Sequence, residues 1–351
     1  MKISALSFPL LIVIFLIAAV VIWVAGIRLS TSTDTIAEKF GLGGALGGLV
    51  LLSIVTNLPE IAIVISASLH NNFEMATGNL LGGIAVQTLV IVVLDVFGLG
   101  NKDTLTKRST SLVLVLEATL VLVVLALVVI GHQMPASLVL YRVTPAGFLI
   151  LISWLVGIKI ISKTRKTLPE ISEEKMDGEN KDDNKKDEKE NKKNNTGKAI
   201  LIFIICSIAT LAAGVALEVT SNAIAKHIGM QGVIFGATIL AAITSLPEIS
   251  TGLEAVWLKD YEMAVSDILG GNAFLPVLFL LASIGSPAGA GILPKAQKTD
   301  IYLAGLSMVL TAVYIAGLII QPKKQYLRMG IDSIVILVVY ILGIIGLVFV
   351  T

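Results

Sequence analysis

The sequence has little of what usually holds secreted domains or transition-metal sites together. Cys206 is the single cysteine, so no disulfide can form within the chain. Aromatic residues account for only 6% of the chain and charged residues for 15%. No basic stripe with interleaved aromatic side chains is present, so we expect no nucleic-acid partner. The few charges are also unevenly placed, since about two fifths of them lie in one stretch near the middle.

Hydrophobic residues are abundant instead, at 55% of the 351 residues, and the mean hydropathy is +0.90. This composition predicts an all-α integral membrane protein whose partner is the lipid bilayer, because a spanning helix needs roughly 20 apolar residues. The first apolar run is interpreted as a resident helix and not a signal peptide, because its Ala25-Gly26 pair recurs at Ala213-Gly214. Ten transmembrane helices are predicted, at residues 7–28, 42–69, 73–98, 110–131, 137–161, 199–226, 230–258, 262–285, 300–320 and 329–350.

A charged stretch divides the chain after the fifth predicted helix. Residues 164–198 are mostly Lys, Glu, Asp and Asn, with too few apolar side chains to bury a core. We predict a disordered linker there. It separates a first unit, residues 1–163, from a second unit, residues 199–351, each with five helices.

The two halves repeat each other at a constant offset, the one that separates Glu60 from Glu248. The run Thr56 to Glu60 matches Thr244 to Glu248, and the register holds without a gap from Ala25 to Gly83. Because five is an odd number, the second half should enter the membrane in the opposite orientation. Inverted repeats with a site at their midplane interface are the architecture of secondary transporters. Further pairs at this offset are Gly26 with Gly214, Gly82-Gly83 with Gly270-Gly271, and Glu74-Met75-Ala76 with Glu262-Met263-Ala264.

The distribution of basic residues predicts the orientation. Most Lys and Arg lie in the linker and in the loops that share its side of the membrane, which marks that side as cytosolic. We therefore predict a multi-pass protein of the cell membrane with both termini extracytoplasmic and the linker in the cytosol. A homo-oligomer stays open at this point.

The repeated run carries the chemistry. Glu60 and Glu248 each follow a proline in an apolar segment, and a carboxylate at membrane depth normally faces a cavity, a partner or an ion. Thr56 and Thr244 lie four residues earlier, on the same helical face. Two carboxylates facing each other in a low dielectric are stable with a shared proton or a bridging cation. A divalent ion neutralises both, which is the logic of an exchanger.

The identity of the ion follows from the oxygen-only donor set. Ca²⁺ accepts about six to eight oxygen ligands in loose geometry, whereas Mg²⁺ demands stricter geometry. No Cys or His lies near either motif, which disfavours zinc and copper. Gln87 and Asn272 lie on the following helices and could add oxygens. The alternative is that the two carboxylates are only hydrogen-bonded locally and fix helix packing.

These residues resemble the alpha repeats of the calcium/cation antiporter superfamily. The resemblance rests on the doubled Thr-(Asn/Ser)-Leu-Pro-Glu run, followed by Gly78 to Gly83 in one half and Asp267 to Asn272 in the other. It implies a secondary transporter that works by alternating access, with the first and sixth helices sliding and Ca²⁺ held between Glu60 and Glu248. The other residues for which it implies contacts are Thr56 and Thr244 at Ca²⁺, Asn57 and Ser245 at flanking monovalent-ion sites, and Gln87 as a further ligand.

The sequence also departs from that family pattern. Gly83 and Gly271 stand where sodium-coupled members usually have serines, and Leu275 stands where Asp or Asn is frequent. Coupling to Na⁺ and coupling to H⁺ therefore both stay open, with H⁺ slightly favoured because a proton needs only the two glutamates. An antiporter of the same build for Mg²⁺, Mn²⁺ or monovalent ions is one alternative. A metal-dependent intramembrane lipid pyrophosphate phosphatase is a weaker one, because no Arg or His lies beside the glutamates.

Overall fold

The computed structural model describes residues 6–39, 47–100, 103–135, 138, 142–167, 187–286, 293, 297–322 and 324–350. Within these ranges the chain is almost entirely helical, apart from a small antiparallel hairpin that pairs β1, Gln325–Tyr326, with β2, Met329–Gly330. The α-helices are α1 Phe8–Lys39, α2 Gly47–Thr56, α3 Leu58–Leu69, α4 Phe73–Leu94, α5 Leu105–Arg108, α6 Leu112–His132, α7 Pro145–Thr167, α8 Asp187–His227, α9 Gly232–Phe235, α10 Ala241–Thr244, α11 Leu246–Trp257, α12 Tyr261–Phe274, α13 Leu278–Gly285, α14 Lys298–Ile320 and α15 Ile331–Val350.

Eight helices in the described part of the chain are long and apolar enough to cross a membrane, and the bent pair α10–α11 adds a ninth with the preceding turns. This confirms a multi-pass membrane protein. The predicted second span corresponds to α2 and α3, which meet at Asn57, and its predicted start at residue 42 lies outside the described residues. The count of ten therefore stays a prediction.

The first helix is longer than predicted. It was expected to end at residue 28, but α1 continues to Lys39 through a run of serines and threonines. Their hydroxyls do not interrupt the helix, because Thr31, Thr33 and Thr35 each donate a hydrogen bond to the carbonyl four residues earlier. Polar side chains satisfied in this way can extend a helix beyond its apolar segment.

Helices extend into both ends of the predicted charged linker, whose boundaries stay a prediction. α7 extends to Thr167, and α8 begins at Asp187, inside the stretch that was expected to be disordered. The first residues of α8 are rich in Glu and Lys, which are good helix formers, and they continue directly into an apolar helix. The middle of the predicted linker, residues 168–186, lies outside the described residues.

Two helices form the centre of the molecule. The span built on α4 and the span that begins with α12 are each 78% buried along their apolar stretch, compared with 22% for α8 and α15. The sequences of α4 and α12 are apolar or small on all sides, which suits a helix surrounded by protein. The peripheral helices α1, α8 and α15 direct many apolar side chains outward, as lipid contact requires. The repeated motifs therefore face the two central helices.

Candidate ion site

The two repeated motifs form the same local structure, a break followed by a new helix. α2 ends at Thr56 and α3 begins at Leu58, and α10 ends at Thr244 and α11 begins at Leu246. The proline is the second residue of each new helix, where its missing N–H is not needed. Glu60 and Glu248 consequently lie in the first turn of α3 and α11, where the helix dipole favours negative charge.

Both glutamates are deeply buried, with 0% of Glu60 and 2% of Glu248 exposed. They lie within electrostatic range of each other, and the hydroxyl of Thr244 lies beside the Glu60 carboxylate. Neither oxygen of Glu60 forms a hydrogen bond of ordinary geometry in the described part of the chain. The structure thus brings the two predicted acids together without a protein cation between them among the described residues.

Three buried amides lie on the motif or on the two central helices and share one arrangement. Asn57 donates its amide to the Ser53 carbonyl at 2.7 Å, Gln87 donates to Glu248 Oε1 at 3.5 Å, and Asn272 donates to Thr88 Oγ1 at 3.3 Å. In each case the amide nitrogen donates a hydrogen bond, and the amide oxygen accepts none in the described part of the chain. Six buried oxygens lack a hydrogen-bond donor among the described residues, namely Asn57 Oδ1, Glu60 Oε1 and Oε2, Gln87 Oε1, Glu248 Oε2 and Asn272 Oδ1.

The hydroxyls of the motifs are directed to their own backbone. Thr56 donates to the Leu52 carbonyl at 3.0 Å, and both Thr244 and Ser245 donate to the Ala241 carbonyl, at 3.2 and 2.8 Å. Each hydroxyl oxygen therefore keeps acceptor capacity. Of the three, Thr244 also lies beside the carboxylate of Glu60, and Thr56 and Ser245 are buried next to the breaks.

Two residues near the site were not among the predicted ligands. Asp267 on α12 lies within electrostatic range of Glu248, and Thr251 donates a hydrogen bond to its Oδ2 at 3.3 Å. The sequence could have indicated part of this, because Thr251 is three residues after Glu248 and therefore lies on the same face of the helix. Thr88, the partner of Asn272, is also fully enclosed, and it follows Gln87 directly in α4.

Of the two glycines that stand where the resemblance predicts serines, Gly271 lies against the candidate site. A Cβ atom at Gly271 would be 3.0 Å from Asn57 Nδ2 and 3.5 Å from Gln87 Oε1. A Cβ atom at Gly83 would be 3.6 Å from the side chain of Leu275, which is itself fully buried. A hydroxyl group at position 271 would therefore reach two candidate ligands, whereas position 83 borders only the side chain of Leu275.

The long helices α1 and α8 cross the two breaks at matching glycines. A Cβ atom at Gly26 would be 2.6 Å from the side chain of Pro247, and one at Gly214 would be 2.6 Å from Ala62 and 2.9 Å from the Pro59 carbonyl. Each long helix therefore packs directly on the break of the other half. Only glycine permits this approach, because any side chain would collide with the proline segment.

Comparison with known proteins assigns the chain. The sodium/calcium exchanger protein family matches residues 10–160 and again residues 198–348, two segments whose first positions are separated by the same offset as the repeated motifs. The inner membrane protein YrbG of Escherichia coli is 27% identical over 264 residues, which cover 72% of this chain and 73% of YrbG.

Solved structures share the fold at low identity. The sodium-calcium exchanger NCX_Mj superposes with a TM-score of 0.61 at 17% identity, covering 97% of this chain and 99% of the other. The H⁺/Ca²⁺ exchanger CAX gives a TM-score of 0.63 at 12% identity, covering 97% and 87%. The hydrolase alternative is wrong, because the matched proteins are transporters and not enzymes. The chain belongs to the sodium/calcium exchanger protein family and is a multi-pass membrane antiporter of the calcium/cation class.

Proposed function

We propose that this protein exchanges Ca²⁺ for H⁺ or Na⁺ by alternating access, with Ca²⁺ held between Glu60 and Glu248 near the membrane midplane. The observation that carries the proposal is that two buried glutamates lie within electrostatic range of each other and that six oxygens on these glutamates and on Asn57, Gln87 and Asn272 lack hydrogen-bond donors in the described chain. A buried oxygen that accepts nothing is costly, so a site that collects six of them is built for a cation. Six oxygens, three of them on the two carboxylates, match the number and charge that Ca²⁺ prefers.

The roles of the remaining residues follow from their positions. Gln87, Asn57 and Asn272 would supply neutral amide oxygens, and Thr244 would supply a hydroxyl oxygen next to Glu60. Thr56 and Ser245 would contribute hydroxyl or backbone oxygens beside the breaks. Mg²⁺ or Mn²⁺ is a second candidate. Neutral amide oxygens contributed by separate segments of the chain do not impose a strict octahedral geometry, so they suit the larger Ca²⁺ better.

For the counter-ion we favour H⁺ over Na⁺. A sodium site needs several oxygens of its own. The resemblance implies such oxygens at Gly83, Gly271 and Leu275, which have none in their side chains, and Gly271 lies next to Asn57 and Gln87. When Ca²⁺ leaves, the two glutamates can be neutralised by protons without any further ligand.

The architecture supports the same mechanism. We propose that residues 1–163 and 199–351 form two inverted repeats, joined by the charged segment 164–198 on the cytosolic side of the cell membrane, with both termini outside. The packing of Gly26 on Pro247 is matched by that of Gly214 on Pro59, and the repeat offset exchanges the two contacts. This crossed arrangement supports a pseudo-twofold axis between the glutamates. Movement of α1 and α8 over the breaks would expose the site to one side at a time.

The decisive experiment is Ca²⁺ flux into proteoliposomes with the purified protein, driven in one arm by a pH gradient and in the other by a Na⁺ gradient. Uptake is expected under the pH gradient and not under the Na⁺ gradient at matched driving force. Uptake under Na⁺ alone would overturn the choice of counter-ion. Uptake of Mg²⁺ or Mn²⁺ but not Ca²⁺ under either gradient would overturn the choice of substrate.

A further inference from the structure

A buried carboxylate outside the ion site joins α8 to the end of α3. Glu218 of α8 is 1% exposed and accepts hydrogen bonds from Ser66 Oγ at 2.8 Å and from Asn72 Nδ2 at 2.9 Å. His70 Nδ1 lies 3.1 Å from the same carboxylate. Three polar groups on α3 and the α3–α4 turn thus surround one acid on a long helix, and they close the crevice between α8 and α3. We call these four residues the Glu218 cluster.

The repeat offset maps this cluster onto the other half. Glu218 corresponds to Ser30 of α1 and Ser66 corresponds to Glu254 of α11, so the acid and the serine have exchanged helices. The remaining members correspond to the residues of the α11–α12 turn: His70 with Leu258, and Asn72 with Asp260.

The equivalent cluster is open. Ser30, Glu254, Leu258 and Asp260 all line a cavity of about 190 Å³ between α1, α11 and α12. The Glu254 carboxylate is exposed and forms no hydrogen bond or ion pair in the described part of the chain, and the Ser30 hydroxyl is likewise without a bonded partner there. Glu218 and Ser66 are joined by a hydrogen bond, whereas the equivalent residues Ser30 and Glu254 line the cavity without one in the described part of the chain.

The two turns are equivalent in backbone as well. Asn71 and Lys259, which occupy the same repeat position, are both in the left-handed region, with φ of 55° and 66°. The residue before each also matches, with φ and ψ of −88° and 2° at His70 and −75° and 0° at Leu258. The difference between the halves therefore lies in side chains and in the distance of the long helix, not in the shape of the turn.

We propose that Glu218 with Ser66 and Glu254 with Ser30 are alternating positioning pairs for the two long helices. In the state seen here, Glu218 holds α8 on α3 and the cavity beside α1 is open. In the opposite state, Ser30 donates to Glu254 and closes that cavity, while Glu218 is released from Ser66. This inference rests on the proposed alternating access but not on the identity of the transported ion.

The composition of the two pairs sets their relative strength. Glu218 has three potential donors, whereas Glu254 would have Ser30 alone, since Leu258 cannot donate and Asp260 would repel a second carboxylate. The state with the Glu218 cluster closed, which is the state of this structure, should therefore be favoured.

Matched cysteine reporters test the proposal. Ala255 lines the open cavity, and Ala67, its equivalent at the repeat offset, is fully buried beside the Glu218 cluster. Each is changed to cysteine separately in a Cys206→Ser background, and its reaction rate with a charged methanethiosulfonate is measured in nanodiscs, where both faces are accessible. The starting protein should react faster at Ala255→Cys than at Ala67→Cys.

The quantity compared is the ratio of the reaction rate at Ala255→Cys to that at Ala67→Cys. Variants that remove a hydrogen bond from Glu218, or add donors near Glu254, should lower this ratio. Ser66→Ala should lower the ratio about fivefold, because it removes one hydrogen bond from Glu218 and so exposes Ala67→Cys more often. The control Ser68→Ala, whose hydroxyl bonds only to the Val64 carbonyl of its own helix, should not. Leu258→His with Asp260→Asn rebuilds the donor set around Glu254, while Asn at 260 keeps the helix cap, and should shift the ratio the same way. Adding Glu254→Ala should cancel that gain.

The outcomes distinguish a failure of the positioning pairs from a failure of the proposed Ca²⁺ transport. If Ser66→Ala behaves like Ser68→Ala, or if the gain variant leaves the ratio unchanged, the alternating pairs are refuted even when Ca²⁺ exchange is observed. If the ratios shift as stated but no Ca²⁺ flux is found, the pairs stand and the proposed substrate is wrong.

Discussion

The two breaks share a five-residue pattern but have different neighbours. Glu60 in the first break is accompanied by Thr244, and both of its oxygens lack a hydrogen-bond donor in the described chain. Glu248 in the second break accepts a hydrogen bond from Gln87 and lies in the field of Asp267. The repeat position of Asp267 in the first half is Asn79, so the second half carries one more acid. A duplicated motif has thus become an asymmetric site, with the more negative side around Glu248.

The largest effect should come from removing either carboxylate. Glu60→Gln and Glu248→Gln each remove one of two charges facing a divalent ion, so Ca²⁺ affinity should fall by more than about 100-fold. Isothermal titration with Ca²⁺ and flux in proteoliposomes measure this. The control for binding is Glu254→Gln, an exposed acid on the same helix as Glu248 that is proposed to position α1 and not to bind the ion; it should bind Ca²⁺ normally. Equal binding by all three variants would remove the glutamates from the site.

The next largest effect should come from disturbing the contact of each long helix with the break of the other half. Gly26→Ala and Gly214→Ala each place a Cβ atom 2.6 Å from the opposite break, and such overpacking typically costs about 1–3 kcal/mol. Transport should therefore fall about tenfold in both variants while Ca²⁺ binding changes less. The control is Gly305→Ala, where nothing lies within 4 Å of the added atom. A loss in one variant and full activity in the other would show that only one long helix moves.

Much of this arrangement could be predicted from the sequence, and the reason is local. The burial of both acids followed from the motif, because a carboxylate in an apolar segment is directed away from lipid. The breaks at Asn57 and Ser245 did not, because continuous helices were predicted over 42–69 and 230–258. The glycines at 26 and 214 kept their register with the motif, which indicated a shared role.

The remainder depended on contacts between residues far apart in the chain. Whether α1 stops at residue 28 or continues to Lys39 is decided by hydroxyls that bond back to the helix and by packing against α8. The donors around Glu218 come from residues more than 140 positions away, and the hydrogen bond of Gln87 comes from 161 positions away. No periodicity or motif in one stretch specifies such partners.

A smaller effect should follow from making the two halves more alike. Asp267→Asn removes the extra acid near Glu248, so the KM for Ca²⁺ should rise about fivefold, as expected for one charge acting at a distance through protein. The maximal rate should change little, because the direct oxygens remain. The reciprocal variant Asn79→Asp adds an acid at the repeat position and should lower the KM. If both variants move the KM in the same direction, the halves do not contribute to one shared field.

The smallest effect concerns the missing hydroxyls, and it tests why the counter-ion should be H⁺. Gly271→Ser would place an oxygen within reach of Asn57 and Gln87, restoring one ligand that sodium coupling requires. One added oxygen is worth about one hydrogen bond, so Na⁺ should inhibit Ca²⁺ binding about fivefold more strongly than in the unmodified protein. Gly271→Ala crowds the same space without the oxygen and should leave Na⁺ inhibition unchanged. Competition titrations with Na⁺ at constant ionic strength separate the two. If alanine and serine act alike, the space at Gly271 controls the site through packing alone, and the absence of hydroxyls would no longer support proton coupling.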